Sequence, residues 1–176
     1  MEKTKNLLAI RKWLDKGGLV CFPTDTIPGL ICKIAKPIYD IKNRSKEKKL
    51  IKFVNDINKI KTLSASNKKI IAKYWPGKLT IIIKGISYRC PNQPQLLLIL
   101  KNYPYLYSSS ANISNHQPIK NFSQAQQMFN NSHKILFANF RIKYGAPSTI
   151  IDLDKQIILR QGSIDGNKVL KQIKTK

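Results

Sequence analysis

The chain has 176 residues, 42% of them hydrophobic, with 32 Lys and Arg against 9 Asp and Glu, a formal net charge of +23 and a pI of about 10.1. A chain of roughly 150 residues already buries about 70% of its unfolded surface, so no staples are needed, and no apolar run approaches the roughly 20 residues that cross a bilayer. Cys21, Cys32 and Cys90 form no Cys-x-x-Cys pair, which argues against a disulfide scaffold or a zinc site and for a reducing cytoplasm.

Leu7, Leu8, Ile10 and Leu14 recur at helical spacing and predict a helix over about 4–16, ended by Gly17 and Gly18. The mixed charged and apolar residues of this stretch lack the continuous apolar core of a secretory leader. Residues 19–22 then form a short apolar run that predicts a buried strand, stopping at Pro23. Thr24, Asp25 and Thr26 follow, before a turn forced by Pro28 and Gly29. Hydroxyls and a carboxylate are thereby presented at a strand end, where ligands sit in α/β sheets.

A second strand is predicted over 30–35, and Pro37 opens a helix bearing Ile38, Ile41 and Lys42. Lys42 and Arg44 lead into Ser45, Lys46, Lys48 and Lys49, a segment too charged for a core and suited to trapping anions. Further strands are predicted over 50–54, 79–83, 106–109, 135–138, 149–153 and 157–159, with another ending at Arg89. Helices are predicted over 56–60, 64–74, 93–101, 123–130 and 165–173, with Ser64 or Ser66 and Ser123 as caps. Residues 75–78 form a turn, and the polar stretch up to Asn121 reads as a loop. No repeat or linker interrupts 1–176, so the expectation is one α/β domain.

The predicted strands end in polar clusters: 24–26, Arg89, 109–112, Ser148 with Thr149, and Arg160. If those ends converge, they line one cleft of hydroxyls, an amide and cations, with few carboxylates and with His116 and His133 in loops. Such an inventory aligns anions better than it shuttles protons through a triad. It suits phosphoryl or nucleotidyl transfer, where positioned charge supplies most of the rate. Each residue also has a plainer reading. Lys42 and Arg44 could complement a helix C-terminus, Ser110 and Asn112 could form a cap and turn, Arg89 could pair with Asp25, and Trp75 could be a packed aromatic. No Walker-type glycine loop or dinucleotide fingerprint is present. The positive charge leaves two explanations open: a phosphate-rich partner such as a nucleotide or RNA, or a Lys-, Asn- and Ile-rich composition without selected function.

Taken in order, these clusters resemble the YrdC-like family, the threonylcarbamoyl-adenylate synthases. The resemblance rests on residues 22–26 with Gly29 and Leu30, the Lys42-Asn43-Arg44 triplet, residues 75–80, residues 89–91, Ser110-Ala111-Asn112, residues 147–149 and Leu159-Arg160-Gln161-Gly162. It implies a twisted mixed β-sheet flanked by helices with a concave basic face. It also implies a reaction in which L-threonine, bicarbonate and ATP give threonylcarbamoyl-AMP and pyrophosphate, for threonylcarbamoyladenosine in transfer RNA. By that resemblance Lys42, Arg44, Lys48, Ser110, Asn112 and Arg160 hold ATP, with Lys42 and Arg44 carrying the catalytic charge. Thr26, Arg89 and Ser148 hold threonine, and magnesium arrives on the nucleotide phosphates with no protein metal site. Transfer RNA and the enzyme that uses the intermediate are the implied partners, in the cytoplasm and away from membranes. The alternative is a non-catalytic RNA-binding module of the same fold. Pro28, Ser45 and Lys49 depart from the family pattern, the first at an aromatic position and the others at proline positions. Asn115 stands where glycine is common. The stop soon after Gly162 implies the short form, lacking the extra domain of some relatives.

Overall fold

The structure, a computed structural model, describes residues 3–112, 122–129, 135–140 and 145–174. The expectations for His116, His133, Asn115 and the loop up to Asn121 lie outside the described residues. The strands are β1 (Lys3–Thr4), β2 (Leu19–Phe22), β3 (Gly29–Cys32), β4 (Ile51–Phe53), β5 (Leu79–Ile83), β6 (Ile86–Arg89), β7 (Leu106–Ser110), β8 (Ile135–Ala138), β9 (Thr149–Asp152) and β10 (Ile157–Arg160). They form one ten-stranded mixed sheet in the order β1-β8-β2-β3-β7-β4-β6-β5-β9-β10. The helices are α1 (Leu7–Asp15), α2 (Lys36–Lys42), α3 (Ala65–Ile71), α4 (Pro94–Leu100), α5 (Phe122–Met128) and α6 (Gly166–Lys174).

Side-chain caps set the starts of α1, α3 and α4. The Asn6 side chain accepts from the Leu8 and Ala9 amides and starts α1, so the helix begins later than expected and leaves Lys3 and Thr4 to pair in parallel with Phe137 and Ala138. Ser64 accepts from the Asn67 amide at α3 and Gln93 from the Leu96 amide at α4, each satisfying an orphan donor of the first turn. Two helix expectations need correction. The helix expected over 56–60 is a single 3-10 turn, Ile57–Lys59. Ser123 lies inside α5 instead of capping it.

Strand side chains alternate between sheet faces, and that alternation sorts the core. Under α1 and α4, one face packs Ile10, Leu14, Val20, Phe22, Leu96 and Leu106. Its reverse packs Leu19, Cys21, Leu30, Ile38 and Phe137 under α2 and α5. Farther along, α3 and α6 cover Leu79, Ile81, Ile83 and Ile151. Each such buried aliphatic side chain contributes about 1.5–3 kcal/mol. The registers pair Tyr107 with Lys52, Lys52 with Tyr88 and Tyr88 with Ile81, so the α3/α6 layer continues the α2/α5 side. The opposite side of β5 and β9 carries Thr80, Ile82 and Ile150, which line an open cleft instead of a helix interface.

Candidate active site

The cleft measures about 280 Å³ and is lined from the turn after β2, the loop after α2, and β3, β4, β5, β6, β7, β9 and β10. It brings together six of the expected residues: Thr26, Arg44, Arg89, Ser110, Ser148 and Arg160.

At one end, hydroxyls and a guanidinium form a directional chain. Thr24 Oγ1 donates to the Ile27 carbonyl at 2.7 Å and lies 3.1 Å from Thr26 Oγ1. Because the Thr24 proton is spent on Ile27, Thr26 is the donor between the two hydroxyls. Arg89 Nη1 donates to Thr26 Oγ1 at 2.9 Å, Nη2 to Asp25 Oδ1 at 2.6 Å and Nε to the Gly77 carbonyl at 3.0 Å. Burial pushes the Arg89 guanidinium down, while the Asp25 charge pulls it back up. The alternative pairing of Arg89 with Asp25 is thus the observed geometry. A guanidinium carries five N–H donors, so these contacts orient the fork without exhausting it.

Arg160 approaches from β10. Its Nε and Nη2 donate to the Ser148 carbonyl at 3.0 and 2.9 Å, and Nη2 also reaches Ser148 Oγ at 3.1 Å. Ser148 Oγ in turn lies 2.9 Å from Thr80 Oγ1. Burial first, and then the like charge of Arg89, push the Arg160 guanidinium down. Two cations that repel each other across a cleft are relieved by an anion placed between them.

Gly162 makes this corner possible. A Cβ on it would stand 2.3 Å from the Pro147 carbonyl oxygen and 2.6 Å from the Ser148 carbonyl carbon, so only glycine lets the chain after β10 pass so close.

The other expected residues stand off the wall. Lys42 is 1% exposed, and its ammonium donates to the carbonyls of Ser110 and Asn112 and to Asn112 Oδ1. Three acceptors match its three donors, so Lys42 holds the end of β7 instead of facing the cleft. Its pKa is pushed down to about 8 by burial and then by Arg44. Ser110 Oγ donates to Asn112 Oδ1, which makes Asn112 part of the same bracket. Lys48 is exposed and offers its carbonyl to Arg44 Nε at 3.0 Å. The structure therefore separates Lys42, Lys48 and Asn112 from the lining that Arg44 and Ser110 share.

Several lining residues went unread in the sequence. Thr80, Ser87 and Ser108 contribute hydroxyls, and Ile51, Ile82, Ile150 and Leu159 form an aliphatic floor. The threonine within residues 79–83 was the available signal, because alternation sets it opposite Leu79 and Ile81. Lys49 also lines the cleft. Trp75 is packed, with its indole N–H on the Leu79 carbonyl at 2.7 Å. Pro28 accepts the Ala111 amide at 2.8 Å and so ties the turn to the end of β7.

The Sua5, YciO and YrdC family model, described as telomere recombination, matches residues 12–162. The chain belongs to the Sua5/YciO/YrdC family. Among relatives within it, the uncharacterized MG259 homolog of Mycoplasma pneumoniae is 33% identical over 93% of this chain, which spans only 36% of that protein's length. A putative threonylcarbamoyl-AMP synthase of Methanocaldococcus jannaschii is 32% identical, with 96% of this chain and 91% of the relative covered. Sua5 of P. abyssi, solved in complex with L-threonine, superposes with a TM-score of 0.81 at 22% identity, over 98% of this chain and 59% of its own. YciO of E. coli gives 0.79 at 19% identity, over 93% and 95%. At such identities the structural likeness is one of fold, and the fold is the twisted mixed sheet flanked by helices expected from the family resemblance.

Proposed function

We propose that the chain is an L-threonylcarbamoyladenylate synthase, making threonylcarbamoyl-AMP and pyrophosphate from L-threonine, bicarbonate and ATP. The observation that carries this reading is the meeting of Arg44, Arg89, Arg160, Ser110, Ser148 and Thr26 on one cleft, in a chain 32% identical along nearly its whole length to a protein named for that activity. Arg89 and Ser148 would take the threonine carboxylate, since a fixed guanidinium recognises a carboxylate through parallel bonds. Thr26 Oγ1, its proton spent on Thr24, retains a lone pair for an N–H of the amino acid.

The threonine amine and bicarbonate would condense to a carbamate with loss of water. A carbamate oxygen then bonds to the α-phosphorus of ATP, and the bond to pyrophosphate breaks. Arg44, Ser110 and Arg160 would align the phosphates, and positioned cations stabilise the charge that builds on them. Lys42 and Asn112 would act by holding Ser110, and Lys48 by holding Arg44. Magnesium would be carried by the nucleotide phosphates. No described helix is long and apolar enough to cross a membrane. Transfer RNA and the enzyme that transfers the group to it would take up the product, in the cytoplasm.

Incubation with threonine, bicarbonate and ATP should yield a threonine- and bicarbonate-dependent adenylate, detected by mass, with matching pyrophosphate. ATP left unchanged under those conditions would overturn the reading.

A further inference from the structure

The loop between α2 and β4 wraps around its own arginine. The Lys48 amide donates to the Ser45 carbonyl at 3.1 Å, and Arg44 donates from Nε to the Lys48 carbonyl at 3.0 Å and from Nη2 to the Lys49 carbonyl at 3.4 Å. This winding sets the Arg44 and Lys49 side chains together on the cleft wall. Lys49 Nζ crosses to the β5–β6 turn and donates to the Gly85 carbonyl at 3.0 Å. The turn receives it because residue 85 has no side chain: at φ +68° a Cβ there would lie 3.0 Å from that nitrogen. One neutral carbonyl occupies an ammonium that has three donors, and among the described residues no carboxylate pairs with it.

The charges on the wall are unequal. Arg89 is offset by Asp25 and assigned to the threonine carboxylate, and Lys42 is turned onto β7, leaving Arg44, Arg160 and Lys49 to face the nucleotide phosphates. Position matters as well. Gly85, in the turn that opens β6, and Arg89, at its far end, are four residues apart, roughly 13 Å at strand spacing, so Lys49 marks the end of the cleft opposite Arg89. In a phosphoryl or nucleotidyl transfer the attacking and leaving oxygens are roughly in line. A nucleophile held at the Arg89 end therefore expels its leaving group toward Lys49.

We infer that Lys49 is a further phosphate-binding cation, which leaves the Gly85 carbonyl to hold the terminal phosphates of the nucleotide as they depart as pyrophosphate. The inference rests on the proposed synthase reading for its substrate and deepens it. It gives a role to the lysine at a position where the family resemblance expects proline. As the oxygen–phosphorus bond forms and the bond to pyrophosphate breaks, Lys49 offsets charge on the leaving oxygens.

Calorimetric titration with pyrophosphate, ATP and AMP tests it on the full chain carrying Lys49→Met, Lys49→Arg or, as a control, Lys46→Met, an exposed position off the cleft wall. Lys49→Met should weaken pyrophosphate and ATP about tenfold, the scale of one charge-assisted hydrogen bond, and leave AMP unchanged. Lys49→Arg should stay near the parent and Lys46→Met should match it. Undiminished pyrophosphate binding in Lys49→Met overturns the inference, as does an equal loss in Lys46→Met, which would show diffuse charge at work. A parent chain that binds pyrophosphate through Lys49 yet makes no adenylate supports the phosphate site and sinks the synthase reading. One that binds neither pyrophosphate nor nucleotide sinks both.

Discussion

Arg89 and Asp25 meet at 2.6 Å with side chains only 4% and 10% exposed, at the junction of β6 and the turn after β2. A buried pair of this kind contributes little net stability, yet losing one partner strands a charge out of water. Asp25→Ala is therefore expected to lower unfolding stability by about 3–5 kcal/mol. Adding Arg89→Met should recover part of that loss. Urea unfolding of the two single variants and the double variant measures it, and additive losses would show that the groups do not act as a pair.

Gly162→Ala should cost stability and threonine affinity together. The new methyl would press on the backbone of Pro147 and Ser148, and Ser148 is the anchor of Arg160. Overpacking against fixed backbone costs about 1–3 kcal/mol. Thermal unfolding with and without threonine should show a lower midpoint and a smaller ligand-induced rise; an unchanged rise would mean that the corner does not touch the amino-acid site.

Arg160→Lys preserves charge but loses the planar fork that spans the Ser148 carbonyl and hydroxyl. Lysine does not replace such two-point contact. Steady-state kinetics should show kcat/KM for ATP reduced about 10- to 100-fold, or roughly 1.4–2.7 kcal/mol of transition-state binding. A change confined to KM for bicarbonate would place Arg160 elsewhere in the reaction.

Lys42 predicts opposite pH responses for stability and activity. Its folded pKa of about 8 lies below its ordinary 10.5, so below pH 8 the native state carries a charge that burial disfavours. Between about 8 and 10.5 the folded protein sheds that proton before the unfolded chain does, and the penalty fades, so this group's contribution makes stability rise with pH. Over the same range the bracket on Ser110 and Asn112 loses a donor, and adenylate formation should fall. Denaturation and turnover at pH 7.5 and 9.5, compared with Lys42→Met, test both signs; a variant with the parent's pH dependence in each would remove Lys42 from the explanation.

The strands that were legible in the sequence are those whose runs are apolar and sharply punctuated. The expected 19–22 and 79–83 coincide with β2 and β5, where Gly17-Gly18, Pro23 and Pro76-Gly77 leave little freedom at the ends, and the expected 135–138 coincides with β8, a fully buried apolar run. β1 was not legible: two residues carry no periodicity, and their partner lies far along the chain at Phe137 and Ala138. In the site, the convergence of strand-end clusters could be anticipated from their spacing. The direction of each cation could not. Helical spacing places Lys42 at the end of α2 but does not say whether its ammonium turns toward the cleft or toward Ser110. Lys49 looked like one more charge in a basic run, since its seat depends on Gly85, which no local pattern connects to it.

The strand order has a consequence for synthesis. Ser148 and Arg160 enter the cleft only when β9 has docked on β5 and β10 on β9, whereas Thr26 and Arg44 leave the ribosome more than a hundred residues earlier. A nascent chain halted before residue 149 would have made the arginine bracket of its loop but would lack the wall that completes it. Until β9 arrives, the edge of β5 offers unpaired amides and carbonyls between Leu79 and Ile82, a template for mispairing with other chains. Docking of β9 and β10 therefore completes the cleft and pairs the β5 edge in one step.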